Sequence, residues 1–360
     1  MACDGYKAQY VRTGYEHIVA KRAGAGFSNI AKEDGTVTAV TETGITVKYK
    51  DGTEEGFQLG RRYGNSGGLT LAHEMKTELA VGEKFKKDTV VTYHPGFFDK
   101  DVFNPGGVVF KMSTVARVAL TETKGTHEDA SSISQELARK LQTKTTKVKD
   151  VVVRFDQKIT GVLTANTPVN HDTVLCLIED KNTADSNLFD EASLNTLRLL
   201  SSQAPTAKVS GLLERVEVYY NGDKDDMHES IRQIVNRSDR EIASRLSAQL
   251  KPALTGAADE SFRVDGEPLL LDTVCIRFYI TSDIAHGVGD KVVFSNQLKS
   301  VVSEIMEYDV KTETGETVDA IFGAQSVFNR IVNSPFIIGT TNVLLSIISK
   351  NAAKIYKGEK

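Results

Sequence analysis

Short segments in which apolar and polar residues alternate dominate the first 110 positions of the chain. Residues 35–59, GTVTAVTETGITVKYKDGTEEGFQL, follow the alternation of strands that bury one face. Their Thr-Gly and Asp-Gly pairs fall where hairpin turns require a positive φ. Residues 79–98, LAVGEKFKKDTVVTYHPGFF, repeat the pattern with a turn at Gly82, a basic run and a further strand. The region is therefore predicted to be rich in β-structure.

Two segments have the periodicity of helices instead. In SSISQELARKLQT, Ile133, Leu137 and Leu141 recur every four residues behind a capping-box pattern of Ser132 and Gln135. This pattern predicts a helix of about three turns. A second helix is predicted over residues 226–250, where apolar residues share one face. They are Ile231, Ile234, Val235, Ile242, Leu246 and Leu250.

The remainder of the chain is predicted to contain further strands and an apolar C-terminal segment. Residues 272–288, DTVCIRFYITSDIAHGV, are dense in β-branched and aromatic residues and predict a strand. The chain ends in a predicted apolar helix with a basic tail. Its segment FIIGTTNVLLSII is expected to be too short, and too interrupted by residues 339–342, to span a bilayer. The predicted fold class is α+β, rich in β-structure, with a C-terminal helix.

Composition and charge narrow the classes of protein. The 360 residues are 40% hydrophobic and 26% charged, as in soluble globular proteins. The net charge of −4 argues against a free-standing polyanion-binding module, which is usually basic. The three cysteines have no metal-binding spacing, and MACDGYKAQY has no apolar signal-peptide core. We therefore expect a soluble, cytoplasmic protein with no membrane partner.

Several kinds of site are not expected in this chain. Neither a GxxxxGK[ST] phosphate loop nor a GxSxG nucleophile motif occurs, and GAGFSN lacks the third glycine of a dinucleotide fingerprint. The seven histidines are scattered at spacings that match no metal motif. No metal ligand is predicted among the residues of this chain.

The segment GDKVVFSNQLKS, residues 289–300, holds two lysines eight positions apart just after the strand of residues 272–288. Neighbouring ammonium groups repel each other, so Lys291 and Lys299 are tolerated most easily in water or around an anion. Phosphate is the commonest anion that two lysines bind. Arg330, in GAQSVFNRIVNSP, is a further candidate for phosphate oxygens. For each cation taken alone, a solvated surface position is the favoured alternative.

An acidic pair, Glu128 and Asp129, precedes the first predicted helix in KGTHEDASS. Acids at the amino end of a helix complement its dipole, and this structural role is the favoured explanation. A supporting role in a functional site is the alternative.

In the order of its segments the chain resembles the carboxyl-terminal half of the β subunit of multi-subunit, bacterial-type RNA polymerases. GDKVVFSNQLKSVVSEIM resembles a family segment with Gly-Asp-Lys and a second lysine eight residues on. TETGETVDAIF is similar to the acidic turn and Pro-Val-Asp-Ile-Val that follow. SVFNRIVNSPFIIGTTNVLLSII is similar to a segment that ends in Ser-Arg-Met-Asn and a helix, with Arg330 at the arginine.

Segments upstream of the lysines occur in the family order as well. VRTGYEHIVAKRAG resembles the Gly-Thr-Gly-x-Glu segment, and GTVTAVTETGITVKY the strand pair after it. LGRRYGNSGGLT, LAVGEKFKKDTVVT and VARVALTETKGTHEDAS are similar to the next three family segments, and SGLLERVEVYYNGD to strands of the flap. Two departures stand out. Residues 295–298, Ser-Asn-Gln-Leu, replace Arg-His-Gly-Asn, and Gly125-Thr126-His127 replaces Gly-Tyr-Asn-Phe.

The resemblance implies a double-psi β-barrel interrupted by a flap-like insertion. Residues 1–143 would form the first part of the barrel and a helix, residues 144–280 the insertion, and residues 281–360 the second part and the C-terminal helix. Residues 30–110 and 270–325 would then share a core. The missing parts of β suggest a split subunit of a large bacteriophage, acting in the host cytoplasm or packaged in the virion.

The resemblance also implies a function. Lys291 and Lys299 would be catalytic, binding phosphates of nucleotide and RNA with Arg330, while Glu128 and Asp129 would support the site. Mg²⁺ would be held mainly by a β′-like partner chain, so this nucleotidyltransferase subunit would be inactive alone. Further partners would be the missing N-terminal β-like portion, template DNA, nascent RNA and nucleoside triphosphates. Two alternatives stay open: a degenerate β-like structural or regulatory module, and a nucleic-acid-binding protein without catalysis.

Overall fold

A computed structural model describes residues 2–66, 68–101, 104, 106–179, 203–246, 256–258, 261–330 and 332–358. The fold is rich in β-structure, with 41% strand and 19% helix, as the alternation of apolar residues predicts. The helices of the described residues are α1 Val19–Arg22, α2 Gln135–Lys140, α3 Glu229–Leu246, α4 Ala324–Phe328 and α5 Ser334–Tyr356.

The strands form in chain order as follows. Up to residue 120 they are β1 Ser28–Ile30, β2 Gly35–Thr41, β3 Gly44–Tyr49, β4 Glu54–Gln58, β5 Gly60–Ser66, β6 Leu69–Met75, β7 Lys84–Phe85, β8 Val90–Tyr93, β9 Phe98–Lys100, β10 Val108–Phe110 and β11 Val118–Leu120. Later strands are β12 Ala130–Ser134, β13 Thr143–Arg154, β14 Lys158–Thr160, β15 Thr167–Val169, β16 Leu177–Glu179, β17 Gly211–Asn221, β18 Gly256–Ala257, β19 Arg263–Val264, β20 Glu267–Pro268, β21 Thr273–Ile284, β22 Lys291–Phe294, β23 Leu298–Met306 and β24 Ala320–Phe322.

The first region contains the hairpins that its alternation predicts. Strands β4, β3, β2 and β7 form a four-stranded sheet in that order, and Gly52 takes the positive φ of 91° expected at its turn. Its core is its own, with Val37, Ile45 and Val47 almost completely buried. The expectation that residues 30–110 share a core with residues 270–325 is therefore wrong for this sheet.

The largest sheet joins the middle of the chain to β5 and β6. Its order is β15-β17-β21-β13-β6-β5, with β18 beside β17. It curls into a half-barrel: Tyr63 of β5 stacks on Tyr279 of β21 with ring centroids 4.2 Å apart, and Arg61 pairs with Glu214 of β17. The predicted helix 226–250 is confirmed as α3, whose Ile231 and Val235 are buried in the core under this sheet. Leu250 lies outside the described residues.

The predicted insertion begins and ends on neighbouring strands. β13 and β21 pair in antiparallel register from Thr143 opposite Ile284 to Arg154 opposite Thr273. The chain therefore enters and leaves residues 144–280 side by side. The division into domains stays a prediction.

A five-stranded sheet carries the segments singled out by the sequence. Its order is β11-β24-β12-β23-β22, with β11/β24 and β12/β23 parallel and β12/β24 and β22/β23 antiparallel. Ile133, Val302 and Ala320 meet in its core. Residues 118–134 and 291–322 thus fold together, although more than 150 residues separate them in the sequence.

The helix predicted from Ser132 onwards is wrong in its first half. Residues 130–134 form β12, and α2 begins only at Gln135, with the Ser134 hydroxyl as its N-cap accepting a hydrogen bond from the Leu137 amide at 3.1 Å. Ile133 is fully buried between β23 and β24. Glu128 and Asp129 consequently precede a strand, so the explanation that they complement a helix dipole is also wrong.

The apolar C-terminal segment forms one continuous helix, as predicted. Residues 339–342 do not interrupt α5, which runs through them for 23 residues. Among the described helices, α5 is long and apolar enough to cross a membrane by length and composition, and none of its most apolar window is buried. By these criteria the expectation that the segment is too short and too interrupted to span a bilayer is wrong, while the absence of a membrane partner stays a prediction.

Candidate functional site

The Gly-Asp-Lys segment forms the tight turn that leads into β22. Gly289 has a φ of 92°, which favours glycine, and its N–H donates to the Val302 carbonyl at 2.8 Å. The Asp290 carboxylate accepts a hydrogen bond from the Gly287 amide at 2.8 Å. Glycine and aspartate thus shape the turn and leave Lys291 as the first residue of the strand.

Lys291 and Lys299 lie on the same face of the β22/β23 hairpin. Lys291 pairs with Val301 and Val293 with Lys299, so the lysines are diagonal neighbours across the two strands. Such positions are about 7–8 Å apart. All four side chains are exposed, Val293 by 55% and Val301 by 43%. We call Lys291, Val293, Lys299 and Val301 the lysine face.

Neither lysine of this face forms an ion pair with any residue that the structure describes. Their mutual repulsion at such a separation in water is well under about 1 kcal/mol, so the folded chain tolerates it. Two uncompensated ammonium groups on adjacent strands are available to an anion with several oxygens, such as a phosphate.

The opposite side of the hairpin holds the lysine face in place. Leu298 is buried against Phe322 and Val327, and Val302 is buried in the core beside Ile133. The rings of Phe294 and Phe322 pack with centroids 5.3 Å apart. The buried side chains on this face therefore hold both strands against the core, and the lysines lie on the exposed face.

Arg330 contacts Asp129 rather than standing free. The guanidinium donates to the Asp129 carboxylate, and the Asp129 amide donates to the Ser326 hydroxyl at 3.3 Å. The Arg330 Nη1 atom is buried without a hydrogen-bond partner among the described residues. A phosphate that binds Arg330 would have to share the guanidinium with Asp129.

Glu128 and Asp129 sit in a 3₁₀ turn with unusual backbone angles. Their φ values are 47° and 67°, a left-handed conformation that costs non-glycine residues energy. The turn leads into β12, whose Ala130 lies opposite Val301 in the parallel pair β12/β23. The Glu128 side chain is 87% exposed. The acidic turn therefore lies at the end of β12 that is next to the lysine-bearing strand.

Polar contacts that the sequence did not predict join β12 to β23. The Ser300 hydroxyl donates to Ser131 at 2.8 Å, and the Ser132 hydroxyl donates to Glu304 at 3.2 Å. At the hairpin tip the side-chain amide of Asn296 donates to the Ser334 hydroxyl, at the start of α5, with a distance of 3.3 Å. These contacts join residues as much as 172 positions apart, so no local sequence pattern could have revealed them.

The five candidate residues thus form two neighbouring groups. Lys291 and Lys299 share the lysine face, while Asp129 and Arg330 form an ion pair beside α4, with Glu128 in the adjacent turn. Asn296 lies in the hairpin turn and contacts Ser334, four residues beyond Arg330, so it links the two groups. No pairing of Asp129 with Arg330 was expected from the sequence.

The described residues do not by themselves fit a magnesium site. No group of three or more His, Cys, Asp or Glu within them is placed to hold a metal ion. The Asp129 carboxylate is already paired with Arg330. Within the 3₁₀ turn His127–Asp129, Asp129 is the one acidic residue besides Glu128. We derive no chemical step through a metal held by this chain.

Two of the three cysteines are poorly suited to nucleophilic chemistry. Burial raises the pKa of both Cys176 and Cys275 to about 12, so their thiolate forms are scarce near neutral pH. Both side chains are fully buried in apolar cores. Their role is packing.

No protein-family model matches the chain, and no curated protein sequence matches it either. The functional interpretation accordingly depends on the residues, their geometry and the order of segments in the sequence.

Proposed function

We propose that the chain is the carboxyl-terminal portion of a β-like subunit of a DNA-directed RNA polymerase. In this role the lysine face binds phosphates of the incoming nucleotide and of the RNA during chain elongation. The observation that carries the proposal is that Lys291 and Lys299, which form no ion pair with the described residues, lie diagonally on one exposed face of an anchored hairpin.

The five-stranded sheet supports the finer proposal of a double-psi β-barrel. It combines residues 118–134 with residues 291–322, two segments that the resemblance assigns to the two parts of the barrel. The parallel pairs β11/β24 and β12/β23 join them directly. Helix α3 and the half-barrel strands from β13 to β21 lie between them in sequence, where a flap-like insertion is proposed, while β5 and β6 of that sheet come from the first region.

The lysines suit phosphoryl transfer because each is a compact point charge on a flexible stem. The ammonium groups would bind and orient phosphate oxygens and stabilise negative charge that develops on them. Arg330 would contribute a planar fork of donors, with Asp129 holding it until an anion arrives. Mg²⁺, which supplies further charge neutralisation, would be held mainly by the proposed β′-like chain. The subunit alone would be inactive.

One observation favours a second candidate, a β-like structural or regulatory module. Arg330 already has a carboxylate partner. In addition, the residues before Lys299 build a turn, with Ser295 at a φ of 56° and Asn296 hydrogen-bonded to Ser334. A module of this kind would bind phosphate through the lysine face alone, without the further contacts that the catalytic role assigns to Arg330.

Reconstitution tests the proposal. The chain is combined with the β′-like chain and the N-terminal β-like portion from the same genome, and RNA extension is measured on an RNA–DNA scaffold. We expect extension only when all three chains are present. Extension at the same rate without this chain would contradict the proposal, as would a failure of the chain to associate with either partner.

A further inference from the structure

Helix α5 exposes a broad apolar surface. Six large side chains, between 40% and 64% exposed, lie along its first four turns. They are Phe336, Ile337, Val343, Leu344, Ile347 and Ile348, which we call the α5 face.

The six residues share one side of the helix because they recur at intervals of four and seven positions. The other side, with Ile338 and Leu345, is half-buried. Phe328 of α4, 68% exposed, stacks on Phe336 with ring centroids 6.3 Å apart and extends the apolar surface. Contiguous apolar surfaces of this kind on soluble proteins typically mark interaction sites.

The charges near the α5 face have one sign. No Asp or Glu occurs between Ser334 and Tyr356, whereas Lys350, Lys354 and Lys357 follow the apolar turns and are exposed. The Lys350 Nζ atom lies 3.7 Å from the Glu316 Oε1 atom. Neither Lys354 nor Lys357 has an ion-pair partner within the described residues. A ligand that covers this helix would gain by placing carboxylates at its C-terminal end.

We propose that the α5 face binds another, non-identical protein subunit that presents an apolar groove with acidic residues opposite Lys354 and Lys357. This inference rests on the proposed function, because that function supplies the partner chains. Leu344 and Ile348 lie one turn apart near the middle of the face and would be the central contacts.

Charge argues against a second copy of this chain as the occupant. A second α5 would bring two more lysines, followed by a further Lys357, and no carboxylate, and Glu316 is already near Lys350. One feature argues against a lipid surface. Thr340 and Asn351, both exposed, lie in the middle of the apolar arc, where a bilayer would have to desolvate them.

Purified full-length chain is tested for binding to the β′-like chain and, separately, to the N-terminal β-like portion. We expect Leu344→Ser with Ile348→Ser to weaken one of these complexes at least tenfold. Lys354→Glu with Lys357→Glu should weaken the same complex at low salt and less at high salt. The matched control, Leu270→Ser with Leu271→Ser, changes two leucines that are 73% and 69% exposed elsewhere, and it should bind as the parent does.

The outcomes separate the two proposals. Parent-like binding by the Leu344/Ile348 variant overturns the α5 proposal and leaves the proposed function standing. If the parent chain binds neither partner, the proposed function is overturned, and α5 loses the partner proposed for it. Flotation of the parent but not the variant with phosphatidylcholine–phosphatidylserine vesicles, or a parent dimer that the variant lacks, would also overturn the α5 proposal.

Discussion

Gly125 shows how closely β12 and β23 pack beside the lysine face. A Cβ atom at this position would lie 2.1 Å from the Ser132 hydroxyl, 3.0 Å from Glu304 and 3.2 Å from Ser303. The Ser132 hydroxyl is buried and donates to Glu304, so it can move away only by giving up that hydrogen bond. The φ of Gly125 is not positive, so the backbone conformation does not require glycine. The close approach of neighbouring side chains does.

We expect Gly125→Ala to lower the free energy of unfolding by about 1–3 kcal/mol, the usual cost of overpacking. The control is Gly64→Ala in β5, where an added Cβ would meet nothing within 4 Å. That substitution should be neutral or slightly stabilising. Chemical denaturation measures both, and equal stability of the two variants would contradict the packing seen at Gly125.

We expect His94 to make the stability of the protein depend on pH. It is buried among Phe27, Phe97 and His73, and its Nδ1 accepts a hydrogen bond from the Gly96 amide at 2.9 Å. Burial, with the nearby His73 ring as a lesser cause, lowers the pKa of His94 to about 4. The unfolded chain therefore takes up a proton at this residue at a higher pH than the folded chain does.

The stabilisation from neutral His94 is complete above pH 6.5 and is lost as the pH falls toward 4. The loss amounts to at most about 3 kcal/mol. In His94→Asn, which keeps an acceptor for the Gly96 amide, the unfolding free energy should vary less with pH over this window. Thermal melts at intervals between pH 7 and 4 provide the measurement. An unchanged pH dependence in the variant would show that His94 is not the group responsible.

The lysine pair and the Asp129–Arg330 pair differ in how far the sequence could predict them. Lys291 and Lys299 are eight positions apart in one hairpin, and the short turn of residues 295–297 sets the register that places them on one face. Asp129 and Arg330 are 201 positions apart, and their contact depends on how β12 and α4 pack in three dimensions. The left-handed turn at Glu128 and Asp129 likewise has no glycine or asparagine to signal it.

At the scale of elements, α2 is the place where the periodicity of the sequence misleads. Ile133 and Leu137 are four positions apart, as in a helix, yet Ile133 belongs to β12 and Leu137 to α2. Pairing of β12 with β23 and β24 buries Ile133 and decides the conformation, and both partners lie more than 160 positions later. In contrast, α3 and α5 have long periodic or apolar segments, and the sequence was sufficient to predict both.

The N-cap of α2 at Ser134 can be tested by substitution. Ser134→Ala should lower the free energy of unfolding by about 1 kcal/mol, because the Leu137 amide loses its capping acceptor. Ser134→Asp, which supplies a carboxylate acceptor, should retain more of that stability than Ser134→Ala does. Equal destabilisation by both substitutions in denaturant titrations would contradict the capping role.

At the scale of the whole molecule, long-range strand pairing determines the architecture. The five-stranded sheet joins residues on either side of a segment of more than 150 residues, and the half-barrel sheet includes β5 and β6 from the first region. The alternation of residues predicted that these strands exist. It could not predict which strands pair, because the backbone hydrogen bonds of a strand carry no sequence signature and only the fold selects the partner.

The central claim, that the lysine face binds phosphates during RNA synthesis, concerns the assembled molecule. Lys291 and Lys299 are exposed and unpaired within the described residues, so replacing them should leave folding and assembly unchanged. Lys→Arg at either position keeps the charge but changes its shape, and the rate should lie between those of the parent and the alanine variant.

Single-nucleotide addition by the assembled polymerase on a preformed RNA–DNA scaffold is the most direct measurement. Lys291→Ala with Lys299→Ala should slow addition by about a hundredfold or more, because cations at a phosphoryl-transfer site stabilise the transition state. The control, Lys84→Ala with Lys147→Ala, removes two exposed lysines from strands of other sheets and should leave the rate unchanged. Addition at the parent rate by the Lys291/Lys299 variant would contradict the catalytic role and favour a β-like structural module.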